Sequence, residues 1–548
     1  MPDDLPPVTR TIPEAFAATV ARIPDRPCIT YFDRELTFAD LDAFSSTVAA
    51  DLARRGVVHG DRVALYLQND PEFAIAELAI WKVGGTVVSV NPMLREQELE
   101  YILQDSGAIG LVTLDQLWDD VASSVAAGTA LRFVLTTDPD RWLADRPVPA
   151  AGGGRFRTDF HAVLAAAAPA PTAPGLGLDD VACIGYTSGT SGRPKGVVTT
   201  HENLAYNAEV YRRWMDISQD DVFLMATPIF HITGLVAGLA LSFLTGMPMV
   251  LFHRFDPDEC LRLATRWRTT FVVMAITAYQ SLMNSPELAD ADLTALAKAY
   301  SGGAPVTTVV ESAWRELTGH AIHNIYGLTE TTSPSHIVPM GVTAPVDPES
   351  AAMSVGLPVP GAEVRVVDAV TLEDVPVGEK GEIWIRGPMV CRGYWNLPEA
   401  TAASFVDGYL RTGDVGLMDA DGWFYVIDRI KDMINAAGYK VWPREVEEFL
   451  LQHPSVDEAA VVGVPDPYRG ETVKAFVTLK AGTTAEPDDI IAFAREHMAA
   501  YKYPRQVEVV SELPKTASGK ILRRELRTRT ASEASATGSP SAPGNGAG

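Results

Sequence analysis

A run of small and hydroxyl-bearing residues with one lysine, YTSGTSGRPKGV, occupies residues 186–197. It follows an apolar, strand-like run, VACIGY, and precedes a helix-like segment, HENLAYNAEVYRRW. Glycines let backbone N–H groups approach an oligophosphate, and a lysine adds a positive point charge. A Walker A loop needs adjacent Gly and Lys, whereas here Pro194 precedes the lysine. The sequence therefore predicts a different phosphate-binding loop, with candidate residues Thr187, Ser188, Gly189, Thr190 and Lys195.

Four further segments follow in a fixed order along the chain. They are YGLTE after HNI at 326–330, RTGD at 411–414, DRIKDMINAAGYKVWPREVE at 428–447 and LPKTASGKILRREL at 513–526. Together with the first segment they resemble the adenylate-forming superfamily, which includes acyl-CoA synthetases, 4-coumarate-CoA ligases, peptide-synthetase adenylation domains and firefly-type luciferases. The resemblance covers about residues 12–527.

The resemblance implies an ATP/AMP site with Mg²⁺. In the family the aromatic of YGLTE, here Tyr326, packs on adenine, Thr329 contacts the α-phosphate and Glu330 holds Mg²⁺. That last role is sound, because a hard divalent cation prefers carboxylate oxygens and bridges phosphates. Asp414 and Arg429 would bind the ribose, whose vicinal diol suits a carboxylate. The remaining nucleotide-site residues implied are Gly303, Ala304, Pro305, Asn324 and Gly327.

The catalytic lysine of the family falls on Lys520. When a carboxylate attacks the α-phosphate, two anions meet and pyrophosphate leaves with added charge, which a movable ammonium offsets. A domain that closes over the site, with its hinge at Lys431, would deliver Lys520 and exclude water from the acyl-adenylate. The implied catalytic set is Lys520, Glu330, Thr187 and His231. Nearby Lys515, Arg523 and Arg524 are expected to be solvated cations.

The acyl pocket is indicated by TPIFHITG, which contains His231. Peptide-synthetase domains carry an Asp in the matching motif that grips an α-ammonium group, and none stands here, so an amino-acid substrate is disfavoured. The positional match adds Tyr300, Gly303, Gly327 and Ser333 to the pocket. We expect a carboxylic acid with an apolar body, either fatty or aryl.

Coenzyme A is the expected acceptor, with a carrier protein as the alternative. AAGYKV at 436–441 matches the family loop that lines the pantetheine tunnel, which assigns CoA to Ala437, Gly438 and Lys440. Arg254 matches a basic position near the CoA phosphates. Two other functions stay open at this point: a non-catalytic nucleotide- or acyl-binding sensor, and a luciferase-like oxygenase.

The elements that must position these residues alternate between strands and helices. RVALYLQ, PEFAIAELAIWKVG and GTVVSVN are one such series, typical of an α/β fold of mostly parallel sheets with helices. A β-rich subdomain is expected at about 360–428, within an N-terminal AMP- and acyl-binding domain of residues 1–428. A small, mobile α+β domain at 429–528 and a disordered tail at 529–548 complete the predicted domains. Residues 222–253 hold no charged side chain but are broken by prolines and glycines, so no stable membrane insertion is expected.

The composition of the chain excludes some classes of function. The chain has 548 residues with 45 basic and 70 acidic side chains, a formal net charge of −25. Residues 429–528 carry 15 of each sign, so the excess lies before them. So acidic a protein is not expected to bind nucleic acid. Four scattered cysteines without CxxC predict a cytoplasmic protein, and nothing in the sequence indicates an oligomeric state.

Overall fold

The computed structural model describes residues 5–143, 156–169, 171, 175–187, 193–436, 439–466, 469–515 and 521–537, with side chains in the last range to residue 530. It divides into two compact units. Unit 1 comprises Met1–Ala344, Val355–Arg365 and Trp384–Thr412, and unit 2 comprises Pro345–Ser354, Val366–Ile383 and Gly413–Gly548.

The helices are α1 Ile12–Arg22, α2 Phe38–Arg54, α3 Pro71–Lys82, α4 Glu96–Ser106, α5 Asp115–Leu117, α6 Ser123–Val125, α7 Phe160–Leu164, α8 His201–Trp214, α9 Ile232–Gly234, α10 Leu241–Thr245, α11 Pro257–Trp267, α12 Ile276–Met283, α13 Thr308–Thr318, α14 Pro398–Ser404, α15 Pro443–Leu450, α16 Pro487–His497 and α17 Arg523–Thr537.

The strands are β1 Pro27–Tyr31, β2 Arg34–Thr37, β3 Arg62–Tyr66, β4 Thr86–Ser89, β5 Gly110–Leu114, β6 Phe133–Thr137, β7 Arg157–Asp159, β8 Val181–Thr187, β9 Lys195–Thr200, β10 Phe223–Leu224, β11 Met249–Leu251, β12 Phe271–Met274, β13 Lys298–Ser301, β14 His323–Leu328, β15 Ser333–Ile337, β16 Leu357–Pro358, β17 Glu363–Val367, β18 Gly381–Arg386, β19 Phe405–Val406, β20 Tyr409–Met418, β21 Phe424–Arg429, β22 Ile434–Ala436, β23 Tyr439–Val441, β24 Val456–Asp466, β25 Gly470–Leu479 and β26 Gln506–Val509.

Two large sheets form the frame of unit 1. One has the order β16-β15-β14-β13-β12-β10-β11-β1-β2, and the strands from β14 to β1 pair in parallel. The other has the order β7-β6-β5-β3-β4-β8-β9 and is parallel except for β8–β9. Helix α3 lies in the core, with Phe73, Ile75, Leu78 and Trp81 fully buried. The predicted α/β fold of mostly parallel sheets with helices is confirmed.

The carboxyl ends of these strands position the candidate site. The loop that carries His231 follows β10, the Gly302–Gly303 turn follows β13, and YGLTE ends β14. Because parallel strands end at one edge of their sheet, three segments distant in sequence converge there, the usual location of ligands in open α/β sheets.

The uncharged segment 222–253 folds as strand, loop, helix and strand. Its helical part joins α9, a π-helical stretch Leu235–Ala240 and α10, and its apolar side chains are buried in the core of unit 1. In the part of the chain that the structure describes, no helix is both long enough and apolar enough to cross a membrane.

Unit 2 contains the predicted α+β arrangement. Strands β22 to β26 form one sheet, and α15 and α16 bury apolar side chains against it around Val446, Val461, Val477 and Ile490. The predicted β-rich region is also present as β17 to β21. Since β17, β18 and β20 each contain residues of both units, the predicted domain limit at 428/429 stays a prediction.

The C-terminal tail differs from the expectation of disorder over part of its length. Helix α17 continues past Thr528 to Thr537, because the segment is rich in good helix formers such as Arg, Glu and Ala. Residues 538–548 lie outside the described residues.

Candidate functional site

The predicted phosphate loop has a well-defined stem. Strands β8 and β9 pair in antiparallel fashion, with Thr187 opposite Lys195 and Tyr186 opposite Gly196. Strand β9 was not expected from the sequence, although its KGVVTT is rich in β-branched residues. Thr200 then ends β9 and caps α8 through Asn203. The stem brings Thr187 and Lys195 together, whereas Ser188, Gly189 and Thr190 lie outside the described residues.

Tyrosines fix this stem from outside. The Tyr186 hydroxyl donates to Asp105 Oδ2 at 2.6 Å, and the Tyr101 hydroxyl donates to the Pro194 carbonyl at 3.0 Å. Burial and the Asp105 carboxylate raise the pKa of Tyr186, so its phenol stays a donor. A Cβ atom at Gly196 would lie 2.8 Å from Ile184 and 3.1 Å from Tyr186, so these side chains need a glycine there.

YGLTE occupies the end of β14 and a 3-10 turn, Thr329–Thr331. Strand β15 returns antiparallel, through Thr332 and Ser333 with φ of 50° and 84°. The return is so close that a Cβ atom at Gly327 would lie 1.8 Å from the Ser333 carbonyl oxygen. The Thr329 methyl group lies against Gly185 of β8, within 3.4 Å of the position a Cβ would take there. The first two motifs are therefore neighbours in unit 1.

Tyr394 joins the charged residues of these two motifs. Its hydroxyl donates to Glu330 Oε1 at 2.9 Å, and Lys195 Nζ lies 4.6 Å from the centroid of its ring. Burial and the charge of Glu330 raise the pKa of Tyr394, which keeps the phenol protonated as a donor. Sequence reasoning missed this residue, because nothing in the spacing of RGYWN relates it to motifs 60 and 200 residues earlier.

The residues present fit a magnesium ion that is held mainly by phosphates. No cluster of three or more His, Cys, Asp or Glu suited to a metal occurs among the described residues. Glu330 is half-buried and accepts its hydrogen bond through Oε1, which leaves Oε2 as a carboxylate oxygen for a ligand. Mg²⁺ is commonly bound by one or two carboxylates together with substrate phosphates, so one carboxylate beside a phosphate loop suffices.

His231 lies at the start of α9 as its N-cap. Its Nδ1 accepts from Thr233 N at 3.4 Å. Ser333 Oγ lies 3.4 Å from Thr233 Oγ1 and 3.0 Å from the Tyr211 hydroxyl. The structure thus brings the predicted pocket residues His231 and Ser333 together and adds Tyr211, which the sequence did not indicate.

The other predicted pocket and nucleotide residues surround the same strand ends. Tyr300 is fully buried on β13, packed on Phe271 and His323, and its hydroxyl has no hydrogen-bond partner among the described residues.

Gly303 has a positive φ of 81°, which suits glycine in the turn after β13, and Ala304 and Pro305 follow it. Asn324 is buried on β14. The ring centroids of Tyr326 and His336 lie 5.5 Å apart. Arg254 is exposed in the loop after β11.

Asn69 holds the loop that leads to His231 and was also missed. Its side-chain amide donates to the carbonyls of Met225 and Thr227, and its Oδ1 accepts from Ile229 N at 2.8 Å. These partners are about 160 residues away in sequence, so no local pattern could reveal the contact. The one signal of its role that the sequence offers is an asparagine just before the helix-forming segment PEFAI.

Unit 2 holds the remaining predicted residues. Asp414 on β20 faces Arg429 on β21 in register, with Arg429 Nε 2.8 Å from Asp414 Oδ1. The predicted ribose residues therefore meet. Lys431 is exposed in the turn Ile430–Asp432, where partial desolvation of its ammonium lowers its pKa to about 8. Lys440 is exposed on β23, and Ala437, Gly438 and Lys520 lie outside the described residues.

One expectation about the basic C-terminal segment is wrong. Arg523 is not a solvated cation: it pairs with Glu447 at 2.6 Å and lies within 4 Å of Asp428 and Asp432. These acids, brought in from outside its own helix, satisfy the guanidinium. Arg524 is exposed, as expected, and Lys515 pairs with Glu458 at 2.6 Å.

Comparison with known proteins identifies the family. A family model described as AMP-binding enzyme matches residues 16–395, and one described as AMP-binding enzyme C-terminal domain matches residues 445–520. The chain belongs to the AMP-binding enzyme family. It is 37% identical over 542 residues to a long-chain-fatty-acid–CoA ligase of Bacillus subtilis, covering 96% of each chain. It is 36% identical over 506 residues to a feruloyl-CoA synthase of Amycolatopsis sp, covering 92% of this chain and 96% of that one.

A solved structure agrees with these relatives. An anthranilate CoA ligase in complex with anthranoyl-AMP superimposes with a TM-score of 0.87 at 28% identity, covering 97% of this chain and 99% of that one. The predicted resemblance and enzyme class are confirmed: this family member is an acid–thiol ligase that forms AMP and passes its acid through an acyl-adenylate.

Proposed function

We propose that the enzyme activates a carboxylic acid with an apolar body, fatty or aryl, using ATP and Mg²⁺, and transfers the acyl group to coenzyme A. The observation that carries the proposal is the meeting of the phosphate-loop stem with YGLTE, where Lys195 and Glu330 flank Tyr394. A cation for phosphate and a carboxylate for a metal thus contact the same side chain, and nucleotidyl transfer needs both kinds of group.

In the first step a carboxylate oxygen of the acid attacks the α-phosphorus, and the bond to pyrophosphate breaks. Lys195 and the side-chain hydroxyls of Thr187, Ser188 and Thr190 are proposed to hold the phosphates. Thr329 is proposed to contact the α-phosphate. Mg²⁺, when bound at Glu330, neutralises phosphate charge. Asp414 and Arg429 are proposed to bind the ribose, and Lys520 to stabilise the charge that develops between the two anions.

In the second step the thiol sulfur of coenzyme A attacks the acyl carbonyl, AMP leaves and the thiol proton passes to solvent. Lys440, Ala437, Gly438 and Arg254 are the proposed CoA residues. His231 is proposed at the carboxylate end of the acyl pocket, with Ser333, Gly303, Gly327 and Tyr300 around the acyl body. Because its hydroxyl lies 3.0 Å from Ser333 Oγ, Tyr211 is proposed to belong to the same pocket.

The cytoplasm is the proposed compartment. The four cysteines, Cys28, Cys183, Cys260 and Cys391, are all buried as free thiols. Burial raises the pKa of each thiol, which keeps them unreactive, and a reducing environment is where such thiols persist.

The test is product analysis across fatty, cinnamic and benzoic acids, each labelled with ¹⁸O in the carboxylate. The proposal expects AMP, pyrophosphate and acyl-CoA, with one ¹⁸O atom per turnover in AMP. Release of ADP and phosphate would contradict it. Transfer of the acyl group from the acyl-adenylate to a purified acyl carrier protein but not to coenzyme A would identify a carrier-loading ligase. Nucleotide binding without turnover of any acid would identify a sensor.

A further inference from the structure

Tyr394 lies in a segment that is attached on both sides. Val198 N donates to the Gly393 carbonyl at 3.0 Å, and Trp395 N donates to the Gly196 carbonyl at 2.7 Å, which fixes the segment along β9. On the other side Cys391 N donates to the Glu330 carbonyl at 2.8 Å. The backbone around Tyr394 is therefore tied both to the phosphate-loop stem and to the turn that carries the metal carboxylate.

The side chain of Tyr394 contacts two opposite charges through different parts. Its hydroxyl orients Glu330 through Oε1, while its ring face holds Lys195 Nζ at 4.6 Å. In the described part of the chain neither Lys195 nor Glu330 forms an ion pair with another residue. The carboxylate and the ammonium are therefore each held by Tyr394 rather than by an opposite charge.

We propose that Tyr394 is a positioning residue that presents Glu330 to the metal through its hydroxyl and Lys195 to the phosphates through its ring. The inference rests on the proposed function for the roles of Glu330 and Lys195. The hydroxyl acts on the metal side, as partners of metal ligands do. The ring acts on the phosphate side through its attraction for a cation.

Two variants separate these actions. Tyr394→Phe removes the hydroxyl and keeps the ring, so it should weaken metal binding alone. Tyr394→Leu removes both, so it should also weaken binding of metal-free nucleotide. Tyr409→Phe is the matched control, because it removes another tyrosine–glutamate hydrogen bond, to Glu363 at 3.2 Å, away from both motifs.

The readout is binding rather than turnover. Mn²⁺ affinity is measured by electron paramagnetic resonance with α,β-methylene-ATP present, and binding of that analogue in EDTA by calorimetry. We expect Tyr394→Phe to weaken Mn²⁺ binding about tenfold, the loss typical for an outer partner of a metal ligand, with metal-free nucleotide binding unchanged. The control should match the wild type in both. In a Glu330→Gln background Tyr394→Phe should have no further effect.

Wild-type Mn²⁺ affinity in folded Tyr394→Phe would overturn the inference, as would additive effects of Tyr394→Phe and Glu330→Gln. Circular dichroism and a melting curve establish folding, and if Tyr394→Leu does not fold, the single-oxygen change in Tyr394→Phe still decides. Because no acid is needed in these assays, failure of the proposed function shows separately, as wild-type enzyme that binds nucleotide and metal but adenylates no acid.

Discussion

Glu330 and Lys195 show how a site for polyphosphate is prepared before its ligand arrives. Their charges are complementary to a metal and to phosphate, and both residues contact Tyr394, Glu330 at its hydroxyl and Lys195 at its ring. A preorganised arrangement costs little reorganisation when charge develops in the transition state. At the residue scale, the chemistry therefore depends on the single charge of each group and on its position.

Glu330→Gln tests the charge. Glutamine keeps an oxygen that can accept from Tyr394, so the fold should be unchanged, while the neutral amide is a poorer Mg²⁺ ligand. The Mg²⁺ concentration for half-maximal adenylation should rise at least about tenfold, since even an outer partner of a metal ligand is worth that much. Glu399→Gln, at an exposed position in unit 1, is the control. An unchanged Mg²⁺ curve would remove Glu330 from the metal site.

His231→Asp tests the acyl pocket. An aspartate would place a second carboxylate near that of the substrate, and like charges about 4 Å apart cost roughly 1–4 kcal/mol at effective dielectric constants of 80 to 20. The KM for the acid should rise accordingly, with the KM for ATP unchanged. His231→Asn is the matched control, because Asn and Asp both cap a helix but Asn adds no charge. A wild-type KM for the acid in His231→Asp would show that His231 does not line the carboxylate end of the acyl pocket.

At the scale of elements, the hairpin of β14 and β15 positions YGLTE. It needs a close approach of backbones at Gly327 and left-handed φ values at Thr332 and Ser333. The alternation of strands and helices was readable from the sequence, because apolar runs and turn residues are local signals. The return of β15, the strand β9 and the contacts of Asn69 were not, since they depend on partners far along the chain.

Gly327→Ala tests that close approach. The new methyl group would lie 1.8 Å from the Ser333 carbonyl, so one strand must move, at a cost of about 1–3 kcal/mol of unfolding free energy, typical for overpacking. Urea denaturation measures the loss. Gly185→Ala is the control, because among the described residues its methyl group would meet Thr329 alone, at an ordinary contact distance of 3.4 Å. An equal free energy of unfolding in both variants and the wild type would show that the hairpin accepts the added methyl group without losing stability.

At the scale of the whole molecule, charge divides the chain. Residues 429–528 have no net charge, and the whole net charge of −25 lies before them. Counting charges from the sequence found this division, and the resemblance to the family implied Asp414 and Arg429, which the structure pairs. Counting could not find that Arg523 pairs with Glu447 and lies within 4 Å of Asp428 and Asp432, because those acids lie 76 to 95 residues earlier.

The C-terminal tail is predicted to be dispensable from Arg529 onward. Truncation after Thr528 removes the pairing of Arg529 with Glu508, but Glu508 keeps Lys474 at 2.9 Å. An exposed ion pair is worth ~0.2–1 kcal/mol. Since 1 kcal/mol shifts Tm by roughly 2–4 °C in a protein of 150–250 residues, we expect a loss below about 4 °C by calorimetry. Truncation after Thr537 is the control, and a larger loss in the shorter protein alone would show that α17 stabilises the fold.

The two-step account is tested most directly by assaying its two half-reactions in Lys520→Ala. The first is acid-dependent exchange of pyrophosphate into ATP, and the second is thioester formation from synthetic acyl-AMP and coenzyme A. Lys515→Ala, which removes a surface cation paired with Glu458, is the control. Lys431→Pro restricts the backbone at the predicted hinge and should impair the second half-reaction more than the first.

Loss of the Lys520 ammonium should slow the first half-reaction by about 10²–10³-fold, or ~3–4 kcal/mol, the contribution of one donor to a developing charge. Thioester formation should stay near the wild-type rate, and Lys515→Ala should match the wild type in both assays. Equal slowing of the two half-reactions by Lys520→Ala would contradict the account, because Lys520 would then be structural or would act throughout.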